Sequence, residues 1–464
     1  MRDAIVGGES GGRPLVVSAR VNRGAMDVSA VRNAIALVRA PLPFVLGFTD
    51  GPPVTRIRAG TSSMYVVNDP GLLQAVLATD EHRFVMGKLI TRARASFGEG
   101  LGMNVMTPRG LRLHEPRLAQ RRAIQPAFRR EHQLFYQQVI ARTIADRLAG
   151  WESGGVVDLC VEGRGIGFRA AIRALLGQSG PAEDEIVSAM EDLLGDVVRY
   201  TLTPRWLTAL PMRWSRRYRA TLSRLDELLS DRASNGSSPL LSALRAARDA
   251  KGEPLTREQV RDHLLTIVGA GTETVSDTIP WLFHELHRNP AVADRVRAEV
   301  RAALADRPLE ALDIRAMEYC LRVVHETLRL HSPQWLLSRR TIEQVRLGTT
   351  VVPAGATVVY SLYALHRDPR FYPEPERFDP DRWTPPARAA LPRCAFIPFS
   401  TGSGRCIGDG FALTELVMVL AALADRWRLV PTAGPPPREV VGLTVRPDRM
   451  PMVCSLATME KVVR

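Results

Sequence analysis

The chain has 464 residues, of which 45% are hydrophobic and 24% are charged, a composition that is typical of globular proteins and excludes an intrinsically disordered one. Its net charge of +13 comes almost entirely from arginines scattered along the chain, which disfavours a nucleic-acid binder and leaves a solvated surface or an acidic protein partner. Because no segment reaches the ~20 apolar residues of a membrane span and the five cysteines form no metal-binding cluster, we expect a soluble, cytoplasmic protein without a membrane anchor.

The pattern along the chain is mainly helical. We predict a flexible extension over residues 1–24 and a single domain over residues 25–464. The alternating segment TRIRAGTSSMYVVND, Thr55–Asp69, predicts a β-hairpin. Helical periodicity follows in five stretches: Gln120–Trp151 with an interruption at Pro126, Ala182–Tyr200, Ser215–Arg232, Thr256–Asn289 and Asp313–Leu330. The polar stretch RASNGSSP, Arg232–Pro239, predicts a mobile surface loop.

The longest helical pattern carries its own start signal and a break. Thr256 with Gln259 forms a plausible capping box, and Pro280 removes one backbone hydrogen bond and bends the helix. Beyond the helices, Val345–Ser361 predicts strands, and the proline-rich Arg367–Trp383 predicts a segment with almost no regular structure. These proportions predict a mostly α fold with small β-sheets.

The segment FSTGSGRCIG, Phe399–Gly408, places Cys406 on a glycine-rich bend before a long apolar run. Glycines allow a flat ligand to approach the backbone closely. A helix that starts after Gly408 directs its free N–H groups and positive dipole toward the sulfur, which favours the thiolate. Such a thiolate can be a nucleophile, a redox centre or a metal ligand, and a structural cysteine is the common alternative.

Three other short stretches help to decide between these roles of Cys406. AGTET, Ala270–Thr274, places small residues next to an acid and a hydroxyl in the middle of the longest helix. ETLR, Glu326–Arg329, brings opposite charges together at a spacing of three residues, and PERF, Pro375–Phe378, adds an arginine. Each stretch is weak evidence by itself, since a solvated ion pair is the usual explanation for a pattern such as ETLR.

In order and spacing, these motifs resemble the cytochrome P-450 family of haem-thiolate monooxygenases from about Ala40 to Leu456. The resemblance implies haem b held between the long oxygen-side helix and the helix after the cysteine loop, with Cys406 as the axial ligand of the iron. It implies that Glu273 and Thr274 deliver protons, and that four residues contact the haem or leave room for it: Ala270, Gly271, Phe399 and Gly408. It also implies a buried structural triad of Glu326, Arg329 and Arg377.

The chain departs from the family pattern at the haem propionates. The usual basic residue two places before the cysteine is Gly404 here, and the arginine follows one place later as Arg405. Propionate binding by Arg405 is therefore open. The resemblance offers a replacement set of Arg117, Arg121 and Arg339, with a surface charge as the alternative interpretation of Arg117.

Within the family, the chain is most similar to soluble bacterial enzymes that oxidise cyclic terpenes. The resemblance implies O2, a small apolar substrate, NAD(P)H electrons delivered through a ferredoxin reductase and an acidic ferredoxin, and a monomer. A polyketide or fatty-acid-like substrate and a non-catalytic haem sensor are the alternatives. The candidate pocket segments are residues 84–86, 103–106, 265–269, 334–337 and 442–444, and most of their residues are apolar. Within them, the candidate pocket residues are Phe84, Met86, Met103, Met106, Leu265, Gly269, Trp335, Leu336 and Leu443.

Overall fold

The computed structural model describes residues 28–59, 62–87, 121–177, 181–203, 207–208, 210–249, 252–305 and 307–457. The predicted extension over residues 1–24 lies outside these ranges. In chain order, the helices are α1 (Val28–Arg39), α2 (Pro41–Leu46), α3 (Pro70–Gln74), α4 (Gln133–Leu148), α5 (Leu159–Leu176), α6 (Pro181–Leu202), α7 (Arg213–Asn235), α8 (Pro239–Ala246), α9 (Arg257–Arg288), α10 (Pro290–Leu304), α11 (Glu318–Leu330), α12 (Leu362–Leu365), α13 (Pro385–Ala390) and α14 (Asp409–Arg426).

Within the described ranges, the strands are short and form four small sheets. In chain order, they are β1 (Val54–Ala59), β2 (Ser62–Val67), β3 (Phe84–Met86), β4 (Val156–Asp158), β5 (Leu337–Thr341), β6 (Val345–Leu347), β7 (Thr350–Val352), β8 (Thr357–Tyr360), β9 (Trp427–Pro431), β10 (Glu439–Val441), β11 (Val445–Pro447) and β12 (Pro451–Leu456). The largest sheet has the order β1-β2-β8-β5-β3, and a second has the order β4-β12-β9. The predicted hairpin is confirmed, with Val54 opposite Val67, and so is the mostly α fold with small sheets.

Helix α9 is the structural axis of the site. Its capping box is confirmed: the Gln259 N–H donates to the Thr256 hydroxyl at 3.3 Å, and the Thr256 N–H donates to the Gln259 side chain at 2.8 Å. Helix α5 packs very closely against it, since a Cβ on Gly163 would lie 2.7 Å from the Ser276 carbonyl oxygen. Pro280 follows Ser276 by four residues and has no N–H to donate to that carbonyl, so the missing backbone hydrogen bond and the close crossing coincide.

The main hydrophobic core positions the cysteine loop. Helix α14, which begins directly after that loop, contacts α4, α9, α10 and α11. Its central residues 416–420 are buried among these helices. Because this helix is held on several sides, the loop at its N-terminus has a fixed position relative to α9. Among the described helices, none combines the length and the hydropathy needed to cross a membrane.

Two predictions of local structure need correction. The stretch Arg232–Pro239 is not a mobile surface loop, because α7 continues to Asn235 and Ser238 is buried. The Ser238 hydroxyl donates to the Leu175 carbonyl at 2.6 Å and accepts the Leu241 N–H at 3.1 Å, so it caps α8. The last predicted helix begins at Glu318, five residues after the expected start at Asp313. The segment over residues 367–383 contains only one short 3-10 turn, as predicted.

Candidate active site

A cavity of about 420 Å³ separates α9 from the cysteine loop. Residues 269–271 and 273–275 of α9 line one wall, and residues 398–400 and 404–408 line the opposite wall. Cys406 and Thr274, which the sequence places far apart, therefore share one cavity. Most of the other lining side chains are aliphatic or aromatic, so the space suits a large apolar ligand.

The loop around Cys406 is held in place by contacts that fix its backbone. The Cys406 N–H donates to the Phe399 carbonyl at 2.8 Å. The Ser403 N–H and hydroxyl both donate to one oxygen of Glu81, at 2.9 and 2.8 Å. Gly402 has a φ of +64°, and a Cβ there would lie 2.0 Å from the Leu77 carbonyl oxygen, so only glycine fits. Nothing in the sequence indicates the Glu81 anchor, which lies 322 residues before Ser403.

The electrostatic surroundings of Cys406 differ from those expected. The residue is exposed where the cavity opens, but the protein packed around the thiol raises its pKa above the ordinary value. The Gly408 N–H, Arg121 and Arg405 lower the pKa, without reversing the effect of burial. The prediction that the bend alone favours a thiolate is therefore wrong. A bound metal cation would lower the pKa of the thiol and favour the thiolate.

The small residues and the acid–hydroxyl pair on α9 lie where they were expected. Ala270, Gly271, Glu273 and Thr274 all line the cavity. The Thr274 hydroxyl donates to the Ala270 carbonyl at 3.0 Å. Burial, with a smaller contribution from the charge of Asp277, raises the pKa of Glu273 to about 7. This carboxyl can therefore take up and release a proton near neutral pH.

The arginines near the loop divide into two kinds. Arg121 and Arg339 line the cavity, and the Arg121 guanidinium donates to the Arg405 carbonyl. Arg405 also lines the cavity, but its side chain is 65% exposed and forms an ion pair with Asp409, with contacts of 2.7 and 2.8 Å to one carboxylate oxygen. Arg117 lies outside the described residues. Arg121 and Arg339 are thus available to bind an anionic ligand, whereas the guanidinium of Arg405 is held by the first residue of α14.

The predicted charge cluster forms around Glu326 and Arg329, both fully buried. Arg329 donates two hydrogen bonds to the Glu326 carboxylate, at 2.8 and 2.9 Å. The prediction that the Arg377 side chain joins them is wrong, because it is 63% exposed and pairs with Glu374. Only the backbone carbonyl of Arg377 takes part, as an acceptor of Arg329. The second arginine at Glu326 is Arg382, at 3.4 Å.

Comparisons with known proteins agree with this geometry. The sequence model of the cytochrome P-450 family matches residues 167–454. The chain is 34% identical over 438 residues to the cyclooctat-9-en-7-ol 5-monooxygenase of Streptomyces melanosporofaciens, covering 92% of this chain and 94% of that protein. It is 33% identical over 442 residues to the pentalenene oxygenase of Streptomyces avermitilis, covering 93% of each.

The chain belongs to the cytochrome P-450 family. It is an oxidoreductase of the monooxygenase type, and membership implies a haem iron with a thiolate ligand. The fold agrees with the crystal structure of the cytochrome P450DA haem domain, with a TM-score of 0.79 at 21% identity, covering 92% of this chain and 95% of that one. The residues present fit a haem: a thiol on one wall, small residues on the other, two arginines for the carboxylates and apolar sides.

The predicted pocket residues of this P-450 are only partly correct. Three of them line the cavity: Met86, Gly269 and Leu443. Two lie outside the described residues: Met103 and Met106. Four do not line the cavity, because their side chains pack into separate apolar clusters: Phe84, Leu265, Trp335 and Leu336. Next to the last three of these, other residues of the same candidate segments line it: Thr266, Gln334 and Leu337.

Sequence reasoning missed Asp277, a polar residue beside Glu273. Asp277 follows Glu273 by four residues, a spacing that places both on one face of α9 and could have been seen in the motif ETVSD. Thr444 belongs to the candidate pocket segment 442–444 and does line the cavity. Its hydroxyl donates to the buried carboxylate of Asp277 at 2.7 Å, a contact that nothing in the sequence indicates.

Proposed function

We propose that this P-450 inserts one oxygen atom from O2 into a cyclic terpene or terpenoid. The observation that carries this proposal is the apolar cavity with Cys406 on one wall and the Glu273–Thr274 pair on the other. The overall reaction is R–H + O2 + 2H⁺ + 2e⁻ → R–OH + H2O. Haem bound through Cys406 would supply the binding and activation of dioxygen, and the protein positions substrate, protons and solvent.

Several side chains would hold the cofactor. The Cys406 sulfur would ligate the iron, and Arg121 and Arg339 would pair with the two carboxylates, together with Arg117. Ala270 and Gly271 leave the space over the opposite face, since a Cβ on Gly271 would have its nearest neighbour, Leu175, 4.0 Å away. That open space is where dioxygen and the reacting carbon of the substrate would meet.

The acid–hydroxyl pair would provide the two protons that the reaction consumes. The Thr274 hydroxyl, now bonded to the Ala270 carbonyl, lies in the cavity and can rotate to donate toward a bound oxygen or water. The raised pKa of Glu273, about 7, keeps a protonated carboxyl present near neutral pH to resupply that hydroxyl. The pair argues for oxygen activation over a non-catalytic haem sensor, which has no use for protons.

The choice of a terpene rests on the cavity and on the relatives. The walls are mainly hydrocarbon, with Thr266, Gln334 and Thr444 among the few polar side chains. The names of both Streptomyces relatives describe oxygenation reactions, and one of them is the pentalenene oxygenase. A polyketide or fatty-acid-like substrate is the competing outcome of a substrate screen.

Electrons would come from NAD(P)H through a ferredoxin reductase and an acidic ferredoxin. Arg122, Arg129 and Arg130 are exposed on the segment that also supplies Arg121 and Phe128 to the cavity. Arg393 is likewise exposed just before the cysteine loop. These charges form a basic face near the thiolate side of the cavity, suited to steering an acidic partner in the cytoplasm. We propose that the protein works as a monomer beside this partner.

The decisive test replaces the thiol. Cys406→Ala should abolish the red-shifted Soret band that reduced haem-thiolate proteins give with carbon monoxide, because no other described cysteine lines the cavity. Cys394→Ala is the matched control and should retain the band. Product formation from a panel of cyclic terpenes, polyketides and fatty acids, followed by mass spectrometry, then tests the substrate class. Retention of the band in Cys406→Ala, or O2-dependent product from none of the terpenes, would overturn the corresponding part of the proposal.

A further inference from the structure

A second carboxylate lies behind Glu273, outside the cavity. Asp277 is only 4% exposed and does not line the cavity, whereas Glu273 does. The two residues are one helical turn apart on α9, and the charge of Asp277 raises the pKa of Glu273. The like charges therefore lie close enough to interact, and their ionisations are coupled.

Thr444 connects this carboxylate to the cavity. Its hydroxyl donates to Asp277 Oδ2 at 2.7 Å, and the same hydroxyl lowers the pKa of Glu273, so it faces both carboxyls. Thr444 itself lines the cavity. One carboxyl oxygen of Glu273, Oε2, is buried without a hydrogen-bond partner among the described residues. A hydroxyl between two carboxyls can accept a proton from one and donate a proton to the other.

The far side of Asp277 faces half-buried basic groups. Arg164 of α5 and Arg446 of β11 both lower its pKa, and Cys160 of α5 also lies within electrostatic reach. Burial outweighs the two arginines and raises the pKa of Asp277 to about 6. Arg164 and Arg446 each retain partial exposure, so this side leads toward solvent.

The close packing of α5 on α9 explains why this arrangement is fixed. Arg164 follows Gly163, whose Cβ position lies 2.7 Å from the Ser276 carbonyl. A Cβ on Gly167 would lie 2.3 Å from the Ser276 hydroxyl oxygen. The two glycines let α5 approach the turn that carries Asp277, and so bring the arginine to the carboxylate.

We propose that Asp277 is the solvent-side member of a proton relay that runs through Thr444 and Glu273 to Thr274. This inference rests on the proposed monooxygenase function, which consumes two protons and two electrons for each O2. Each proton enters from solvent past Arg164 and Arg446, protonates Asp277, and displaces a proton through the Thr444 hydroxyl to Glu273. Glu273 resupplies the Thr274 hydroxyl and returns to the carboxylate, so that no net charge accumulates. Asp277 touches neither substrate nor cofactor, and it acts only through its neighbours.

The first test measures how electrons divide between product and hydrogen peroxide. Asp277→Asn and Thr444→Val should keep the carbon monoxide band and substrate binding, but lower product per electron about tenfold and increase the solvent deuterium isotope effect, because proton supply becomes limiting. Thr444→Ser keeps the hydroxyl and should stay close to the wild type. Asp262→Asn is the matched control, since it changes a buried aspartate of the same helix that lies outside the cavity and pairs with Arg261.

The second test does not depend on turnover. Infrared spectra of the holoenzyme, titrated from about pH 5 to about pH 8, should show two protonated-carboxyl bands that are lost with coupled midpoints near the pKa values of Asp277, about 6, and Glu273, about 7. In Asp277→Asn, one band should disappear and the midpoint of the other should fall. If the two signals titrate independently, or if Asp277→Asn couples electrons to product as efficiently as the wild type, the relay is wrong. The proposed function would survive that result, because it depends on the carbon monoxide band and on product.

Discussion

Two clusters of buried charge in this chain are stabilised in opposite ways. At Glu326, the fully buried carboxylate faces Arg329, whose five N–H donors are matched by the carboxylate and by the carbonyls of His366, Pro375 and Arg377. At Glu273, the charge that most affects the pKa belongs to a second carboxyl, that of Asp277, and one oxygen is left without a partner among the described residues. The first cluster contributes to the fold, and the second contributes to proton chemistry.

The difference follows from what each cluster must do. A buried opposite-charge pair with every donor satisfied is rigid and does not exchange protons, because both members are stabilised in their charged forms. The Asp379 N–H and the Trp383 indole complete the shell around Glu326, at 2.9 and 3.0 Å. Two like charges, by contrast, make it costly for both carboxyls to be ionised at once, which leaves a proton available near neutral pH.

The largest effect is expected from breaking the satisfied cluster. Arg329→Met should leave Glu326 buried without its main partner and lower the free energy of unfolding by about 3–5 kcal/mol. Haem-loaded protein should be lost with it. Arg377→Ala should change the unfolding free energy by less than about 0.5 kcal/mol, because that side chain is exposed and paired only with Glu374. Denaturant unfolding measures both variants. Equal decreases in the free energy of unfolding would show that the Arg377 side chain does contact Glu326.

The sequence predicts two members of the Glu326 cluster but not the third. Glu326 and Arg329 lie on one helix, so their spacing alone brings them together. The third partner comes from a segment without regular structure, where no periodicity tells which of two nearby arginines, Arg377 or Arg382, turns inward. The motif favoured the first, and the structure places the second at Glu326.

The same limit applies to the cavity. Local spacing correctly predicted the α9 cap, because a cap depends on neighbours in one helix. The resemblance to the family placed Gly271, Glu273 and Thr274 at the haem site, and all three line the cavity. The bonds that come from distant segments, Glu81 to the cysteine loop and Thr444 to Asp277, leave no local pattern. Within the candidate pocket segments, hydrophobicity does not show which side chains point into the cavity.

A smaller effect is expected from the unsatisfied cluster, and it depends on pH. Burial raises the pKa of Glu273 from 4.5 to about 7, so the native state holds this proton to a higher pH than the unfolded chain does. The unfolding free energy of the wild type should therefore fall as the pH rises from about 4.5 to about 7, by about 1–3 kcal/mol. In Glu273→Gln, this slope should flatten, and the variant should be the more stable protein above about pH 7.

Urea unfolding of both proteins at a series of pH values measures this slope. Glu258→Gln is the control, because Glu258 lies in the first turn of the same helix and its pKa is lowered rather than raised. The expectation is contradicted if the unfolding free energy of the wild type increases as the pH rises from about 4.5 to about 7 and Glu273→Gln gives the same curve. Burial would then not destabilise the ionised form of Glu273.

The smallest effect extends the comparison to the arginines around the cysteine loop. Arg405 is satisfied by Asp409, like Arg329 by Glu326, and should be dispensable for cofactor binding. Arg121 lines the cavity and should pair with a haem carboxylate, so Arg121→Ala should release haem about tenfold faster, equivalent to about 1.4 kcal/mol. Arg405→Ala should change the rate by less than about twofold. Haem transfer to excess apomyoglobin, followed by absorbance, gives both rates. Faster haem release from Arg405→Ala than from Arg121→Ala would show that the Arg405 side chain leaves Asp409 and binds the cofactor.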